Sequence, residues 1–218
     1  MKPLILLNFK TYPEAAGKNA LKLVKRLEKV HSKKYNIVVA PSLPTLEEVT
    51  EGTSLKVFSQ HTDLAGLGAY TGKISAEELK KIGVKGTLLN HSERKIPFPI
   101  LTKIVADCKK QKLITVVCAS SLAEAKQVAE LKPDYLAYEP PELIGGDVSV
   151  TKAKAEVIAQ AVQVVKKISP KTKVLCGAGV QSQEDIRKAL QLGTKGVLIG
   201  HAVPKAKDPA KMLKELLR

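Results

Sequence analysis

Short, continuously apolar runs recur along the chain at Leu4 to Leu7, Ile37 to Ala40, Leu55 to Ser59, Thr87 to Asn90, Ile114 to Cys118, Tyr135 to Tyr138, Val174 to Cys176 and Val197 to Ile199. Most lack the apolar–polar alternation of a strand with one wet face. Such runs read as strands buried on both faces, as in a parallel sheet covered by helices. Between them the period changes. From Glu14 to Lys33, residues Ala20, Leu23, Val24, Leu27 and Val30 recur at spacings of three and four with lysines between them, which predicts an amphipathic helix. Thr151 to Ile168 repeats the pattern through Ala155, Ile158, Ala159, Val162 and Val165. Shorter helices fit Ser75 to Ile82, Pro99 to Lys112, Ser121 to Leu131, Ser182 to Leu192 and Pro209 to Leu217, and Ser182 with Asp185 reads like a capping box. The second unit, near Thr45 to Val49, carries the weakest helix signal.

Strand then helix, eight times over and with no Pro-, Gly- or Ser-rich linker, predicts one α/β domain over residues 1–218. A closed (β/α)8 barrel is the simplest match to that count. The competing architecture, an open doubly wound sheet, would carry a Gly-x-Gly-x-x-Gly turn after its first strand, and none is present. Composition adds little to this: 44% hydrophobic and 26% charged residues are ordinary for a globular chain. The apolar runs are too short for a membrane span, and Met1-Lys2-Pro3 leads into no signal-peptide core, so a cytoplasmic location is expected. Cys108, Cys118 and Cys176 are an odd, scattered set that suggests buried thiols rather than disulfides or zinc. The net charge of +15 does change the picture, because nucleic acid, an anionic surface or an acidic substrate could each account for it.

A barrel keeps its chemistry at the carboxyl ends of its strands, and there the chain turns polar. Asn8-Phe9-Lys10 follows the first run, Gln60-His61 the third, Asn90-His91-Ser92-Glu93-Arg94 the fourth and Glu139-Pro140-Pro141 the sixth. Gly177-Ala178-Gly179 follows the seventh and Gly200-His201 the eighth, turns of the kind that let backbone N–H groups approach a phosphate. Prolines 140 and 141 and glycines 145 and 146 bracket a segment with the make-up of a hinged lid. Taken singly, Lys10 is one of many solvated lysines, His91 a structural histidine and Glu139 half of an ion pair. Together they suggest proton abstraction beside a carbonyl on a small phosphorylated substrate, with Glu139 as base and Lys10 and His91 stabilising the enolate oxygen.

In order and spacing, Asn8-Phe9-Lys10, Gly68-Ala69-Tyr70-Thr71-Gly72, Asn90-His91-Ser92-Glu93-Arg94, Tyr138 to Gly145 and Cys176-Gly177-Ala178-Gly179 resemble the triosephosphate isomerase family over the whole chain. The double proline after the glutamate and the short length resemble its compact archaeal branch. The resemblance implies a TIM barrel that interconverts dihydroxyacetone phosphate and glyceraldehyde 3-phosphate. Glu139 would shuttle the proton through an enediolate. His91 would polarise the carbonyl as a neutral imidazole, its pKa held down by the start of the following helix, and Lys10 would supply fixed positive charge. Asn8 and Phe9 would bind the substrate together with that lysine, and Glu93 would support the group from behind. Ile144 and Gly145 in the lid, Gly179, and the Gly200-His201 turn would hold the phosphate. No metal or organic cofactor is implied. The segment from His61 to Lys73 resembles an interdigitating loop, with Thr71 reaching a partner, which implies a homodimer paired into a tetramer.

Three departures stand out. The lid reads Ile144-Gly145-Gly146-Asp147 where Ile-Gly-Thr-Gly is usual, His201 replaces a small residue, and Cys176 replaces a tyrosine whose hydroxyl latches the closed lid. A different phosphate-gripping barrel, an isomerase or synthase, would share the late glycines but not Asn8-Phe9-Lys10 with Glu139. A nucleic-acid module is disfavoured by 4% aromatics and by lysines that look dispersed over all the helices.

Overall fold

A computed structural model describes residues 2–140 and 155–218. Its strands are β1 (Leu4–Asn8), β2 (Asn36–Ala40), β3 (Lys56–Ser59), β4 (Gly86–Leu89), β5 (Ile114–Ala119), β6 (Tyr135–Tyr138), β7 (Lys173–Cys176) and β8 (Gly196–Ile199). Each is parallel to its neighbours, and β8 pairs with β1 to close the barrel. Helices alternate with them: α1 (Lys18–Leu27), α2 (Leu46–Gly52), α3 (Ala76–Lys81), α4 (Phe98–Lys110), α5 (Leu122–Glu130), α6 (Ala155–Ile168), α7 (Gln183–Gln191) and α8 (Pro209–Leu216). The fold is the (β/α)8 TIM barrel that the hydrophobic pattern predicts.

The apolar runs are continuous because each strand faces two cores. Ile5 and Leu7 of β1 join the layer between strands and helices, whereas Leu4 and Leu6 point into the barrel with Val38, Phe58, Leu88, Val116 and Leu198. Each fully buried side chain of this size contributes about 1.5–3 kcal/mol. Helix starts follow local chemistry. Ser75, Ser121 and Asp208 accept from the third backbone N–H beyond them, and Ser182 with Asp185 forms a complete capping box.

Two helices differ from expectation. The long first helix is divided, because Pro13–Ala15 makes a 3-10 turn and Gly17, at φ 52, redirects the chain before α1 begins at Lys18. α2 forms over Leu46–Gly52 despite its weak pattern, with Leu46 and Val49 as its buried residues. The expected helix start at Thr151 lies outside the described residues; α6 is described from Ala155.

Closure of the barrel places a demand on one residue. Gly196 pairs with Leu4 at the β8–β1 seam with φ +147, and a Cβ there would overlap the backbone of Leu4. We therefore expect Gly196→Ala to destabilise the protein by about 3 kcal/mol or more, since backbone, not a movable side chain, must yield. Gly17→Ala, also at positive φ but with nothing within 4 Å of the added carbon, should cost only about 1–2 kcal/mol. Urea unfolding of both variants provides the comparison, and equal losses would show that the seam contact is not the cause.

Candidate active site

Side-chain alternation builds the rim. The inward series Leu6, Val38, Phe58, Leu88, Ala137, Leu175 and Leu198 continues by two residues to Asn8, Ala40, Gln60, Asn90, Glu139, Gly177 and Gly200. One cleft is lined by Asn8, Lys10, His91, Glu139, Gly179, Gly200 and His201, which brings together seven of the residues expected from the sequence. Glu93 lines an adjoining hollow with Lys10 and His91. Phe9 does not reach the cleft: its ring is 0% exposed and packs in the strand–helix layer, so it anchors the strand end rather than meeting a ligand. Ile144 and Gly145, with Gly146 and Asp147, lie outside the described residues.

Lys10 sits in the left-handed region at φ 48, a conformation that costs a non-glycine residue about 1–2 kcal/mol. Its surroundings offset that cost. The Lys10 N–H donates to Asn8 Oδ1 at 3.0 Å, and Gln60 Nε2 donates to the carbonyls of Lys10 at 3.0 Å and Ala40 at 2.9 Å. The side chain crosses above Gly200, where a Cβ would stand 3.2 Å from Lys10 Cε, and ends 2.6 Å from Glu93 Oε1. With 60% of its side chain exposed, Glu93 is free to exchange this partner for water at little cost.

Glu139 is 3% exposed. It presses on Gly177, where any Cβ would overlap Glu139 Cγ, and the Cys118 thiol hydrogen-bonds to its carboxylate from the barrel interior. Burial outweighs the opposing effects of Lys10 and of the Ser92 N–H bond, and pushes the Glu139 pKa up to about 7. His91 Nε2 lies 3.5 Å from Glu139 Oε1. Burial, opposed by Glu93 and assisted by Lys10 and Lys95, holds the imidazole pKa below its ordinary value. The Glu93 N–H donates to His91 Nδ1 at 3.2 Å, so a neutral ring carries its proton on Nε2, facing the cleft. That donor belongs to the tight turn after β4, because α4 begins only at Phe98.

The turn is held by Asn90, buried at φ 58. Its amide donates to Cys118 O at 3.0 Å and Glu124 Oε1 at 2.7 Å and accepts from Ile96 N–H at 3.0 Å. Lys95 and Ser120 complete the shell around Glu124. Across the cleft, Gly179 adopts φ 71, and Cys176 donates its thiol to the Ala178 carbonyl at 3.3 Å. Burial raises the Cys176 pKa to about 12, which keeps that donor protonated. His201 is exposed at the neighbouring turn. Sequence reasoning assigned no individual role to Gln60, Asn90 or Cys118, and gave Gly177 one only as part of a turn that approaches a phosphate. The period-two rule, extended past each strand, would have found all of them except Cys118, which reads as ordinary core. No group of three or more His, Cys, Asp or Glu among the described residues could hold a metal ion.

A family model for triosephosphate isomerase matches residues 3–216. The chain belongs to the triosephosphate isomerase family. It is 44% identical to a triosephosphate isomerase of Methanothermus fervidus, over 99% of this chain and 98% of the relative. It is 42% identical to the proteins of that name from Methanocaldococcus jannaschii, over 99% of each chain, and Methanosarcina mazei, over 99% and 98%. All three sources are archaea, in keeping with the compact branch that the motifs resemble. Family membership makes the chain an enzyme of the aldose–ketose isomerase class, an intramolecular oxidoreductase.

The raised pKa of Glu139 has a cost in stability. Below about pH 4.5 the carboxyl is protonated whether the chain is folded or not, and no penalty arises. Above about pH 7 it is ionised in both states, and the fold bears the full cost of burying the charge, about 3 kcal/mol for a shift from 4.5 to about 7. Glu139→Gln should therefore be more stable than the parent by about 3 kcal/mol near pH 8, with the margin shrinking as pH falls towards 4.5. Denaturant unfolding across that range checks it, and a margin independent of pH would count against the buried-charge account.

Proposed function

We propose that this enzyme interconverts dihydroxyacetone phosphate and D-glyceraldehyde 3-phosphate, with Glu139 carrying a proton between C1 and C2 through an enediolate. One observation above all supports the reading: a desolvated carboxylate with a pKa of about 7 stands 3.5 Å from an imidazole held neutral. A base of that strength removes a carbon-bound proton at neutral pH more readily than an ordinary carboxylate. The proton leaves C1 or C2 for Glu139, and the electron pair moves onto the carbonyl oxygen. There the Nε2–H of His91 and the ammonium of Lys10 stabilise the developing charge. Passage of the hydroxyl proton between O1 and O2, which His91 Nε2 can relay, and return of the carbon-bound proton to the other carbon complete the isomerisation. Since the proton moves within one substrate, no metal or organic cofactor is needed.

Asn8 and Gln60 fix the backbone from which Lys10 extends, and Gly179 with the Gly200-His201 turn receives the phosphate. Ile144 and Gly145, which lie outside the described residues, are assigned to the same phosphate on the family resemblance. The working unit is a homodimer built on the 61–73 loop, and pairs of dimers form a tetramer. Support comes from Leu67 and Tyr70, each 49% exposed on a loop whose base is pinned by the Ile74 N–H to Asp63 Oδ2 bond at 3.0 Å. The residues form one domain over 1–218, working in the cytoplasm in glycolysis and gluconeogenesis without nucleic-acid or membrane partners at this site. Among the described residues, no helix is long and apolar enough to cross a membrane.

A coupled assay on the purified protein tests the reaction. The parent should interconvert the two triose phosphates, and Glu139→Gln should lower kcat by about 10²- to 10⁴-fold with a smaller change in KM. An inactive parent, or an active variant, would refute the assignment. His201 carries a separate expectation. In the parent, affinity for a phosphate-bearing inhibitor should rise relative to His201→Ser as pH falls from about 8 to about 5, as the imidazole gains charge beside the phosphate. Coincident profiles would leave only a backbone contact at that position.

A further inference from the structure

The +15 charge is unevenly distributed. Lysines in the last turns of α1, α3, α4, α6, α7 and α8 complement the negative ends of those helices. A second set belongs to no helix and stands where the chain runs into its strands, as with Lys85 before β4 and Lys112 before β5. These residues ring the amino-terminal mouth of the barrel, opposite the rim that carries Glu139.

On one side of this mouth the set converges. A concavity of about 580 Å³ is lined by Lys2, Pro3, Pro170, Lys171, Lys173 and Lys195. Among the described residues no carboxylate lines it and none of its four lysines forms an ion pair, unlike Lys10, Lys25, Lys73, Lys81, Lys95 and Lys110. Asp134, whose carbonyl accepts the Lys173 N–H, commits its carboxylate to the Thr115 N–H at 2.9 Å and the Thr115 hydroxyl at 3.0 Å. The stems of the lysines start from fixed points. Leu4 N–H bonds to Lys195 O at 3.0 Å, Lys195 N–H to Val174 O at 2.7 Å, and Asn36 Nδ2 to Lys2 O at 3.3 Å.

Four ammonium groups drawn round one hollow repel one another, and an anion with closely spaced charges relieves that repulsion. We propose that this cup binds a polyphosphate anion, a chain of two or three linked phosphates, either free or as the tail of a nucleotide. A single phosphate would engage only part of a hollow whose cations come from three chain segments. Nucleic acid fits less well, because among the described residues no aromatic side chain lines the hollow for a base to stack on. The ring of Tyr135 is already covered by Lys173 Nζ at 5.1 Å. The site is separate from the catalytic rim and does not rest on the proposed reaction.

Calorimetry of the intact protein at low ionic strength, with inorganic tripolyphosphate, ATP and single-stranded RNA as probes, tests the assignment. One tripolyphosphate should bind per chain, with affinity falling as salt rises. Lys171→Gln with Lys195→Gln should weaken binding about a hundredfold, about tenfold per charge, while Lys171→Arg with Lys195→Arg retains it. All four substitutions are at exposed positions, so thermal unfolding and isomerase activity should match the parent. Equal affinity for tripolyphosphate and ATP would identify the phosphate chain as the whole determinant, and tighter binding of ATP would identify the nucleotide. Failure of both to bind, or undiminished binding by the Gln variant, would overturn the proposal, the latter placing the anion at the Lys10 rim. Tighter binding of RNA than of tripolyphosphate, lost in the same Gln variant, would overturn it in favour of a nucleic-acid surface.

Discussion

A carboxylate kept out of water is the constraint around which this rim is organised. Glu139 reaches its position because β6 ends one residue before it, and it stays there because Gly177, just past β7, leaves no side chain in the way. An ionised carboxylate so placed would cost several kcal/mol without compensation. Lys10, the Ser92 N–H and the Cys118 thiol each return part of that cost, and the balance still leaves the pKa near 7. Stronger compensation would yield a stable but weak base. Weaker compensation would leave the group protonated at neutral pH. The arrangement around Lys10 follows the same logic, since the cation must be fixed close enough to act on substrate without neutralising the base. Its left-handed backbone, tied by Asn8 and Gln60, does this, and the exposed Glu93 holds its ammonium in the absence of ligand.

Much of this was legible in the chain. The continuous apolar runs mark strands because a barrel strand has two dry faces, and each observed strand overlaps its run with ends shifted by at most one residue. Lys10, His91 and Glu139 were visible as polar residues directly after such runs. The division of the first helix was less legible, because the period carried on through Gly17 while Pro13 and the positive φ of that glycine reset the backbone. Phe9 was grouped with the ligand-binding residues by its neighbours in the motif, yet alternation turns its ring towards the helices. Gln60, Asn90 and Gly177 act through backbone carbonyls, a buried amide network and an absent side chain, so alternation marks them as inward-facing without disclosing what they do.

The basic charge shows how a count can mislead until it is placed in space. Read along the sequence, the lysines look dispersed over the helices. In the fold, many of the helical ones stand in the last turns of their helices, and others stand at the starts of strands on the same side of the barrel. The molecule therefore has two faces of different electrostatic character. One holds a few charges in tight mutual balance around Glu139, and the other holds many lysines, some paired with neighbouring carboxylates as Lys25, Lys81 and Lys110 are, and some, round the Lys2–Lys195 hollow, in no ion pair among the described residues.

The central claim, that burial makes Glu139 a base tuned to neutral pH, is most directly tested on the free protein. Kinetic pH profiles mix the enzyme's ionisation with that of the substrate phosphate, which titrates near pH ~6. Carbon-13 NMR of the side-chain carboxyl groups, with Glu139→Gln used to assign the resonance, avoids that overlap. A midpoint of about 7 for Glu139 is the predicted result. A midpoint near the ordinary glutamate value of about 4.3 would contradict the account.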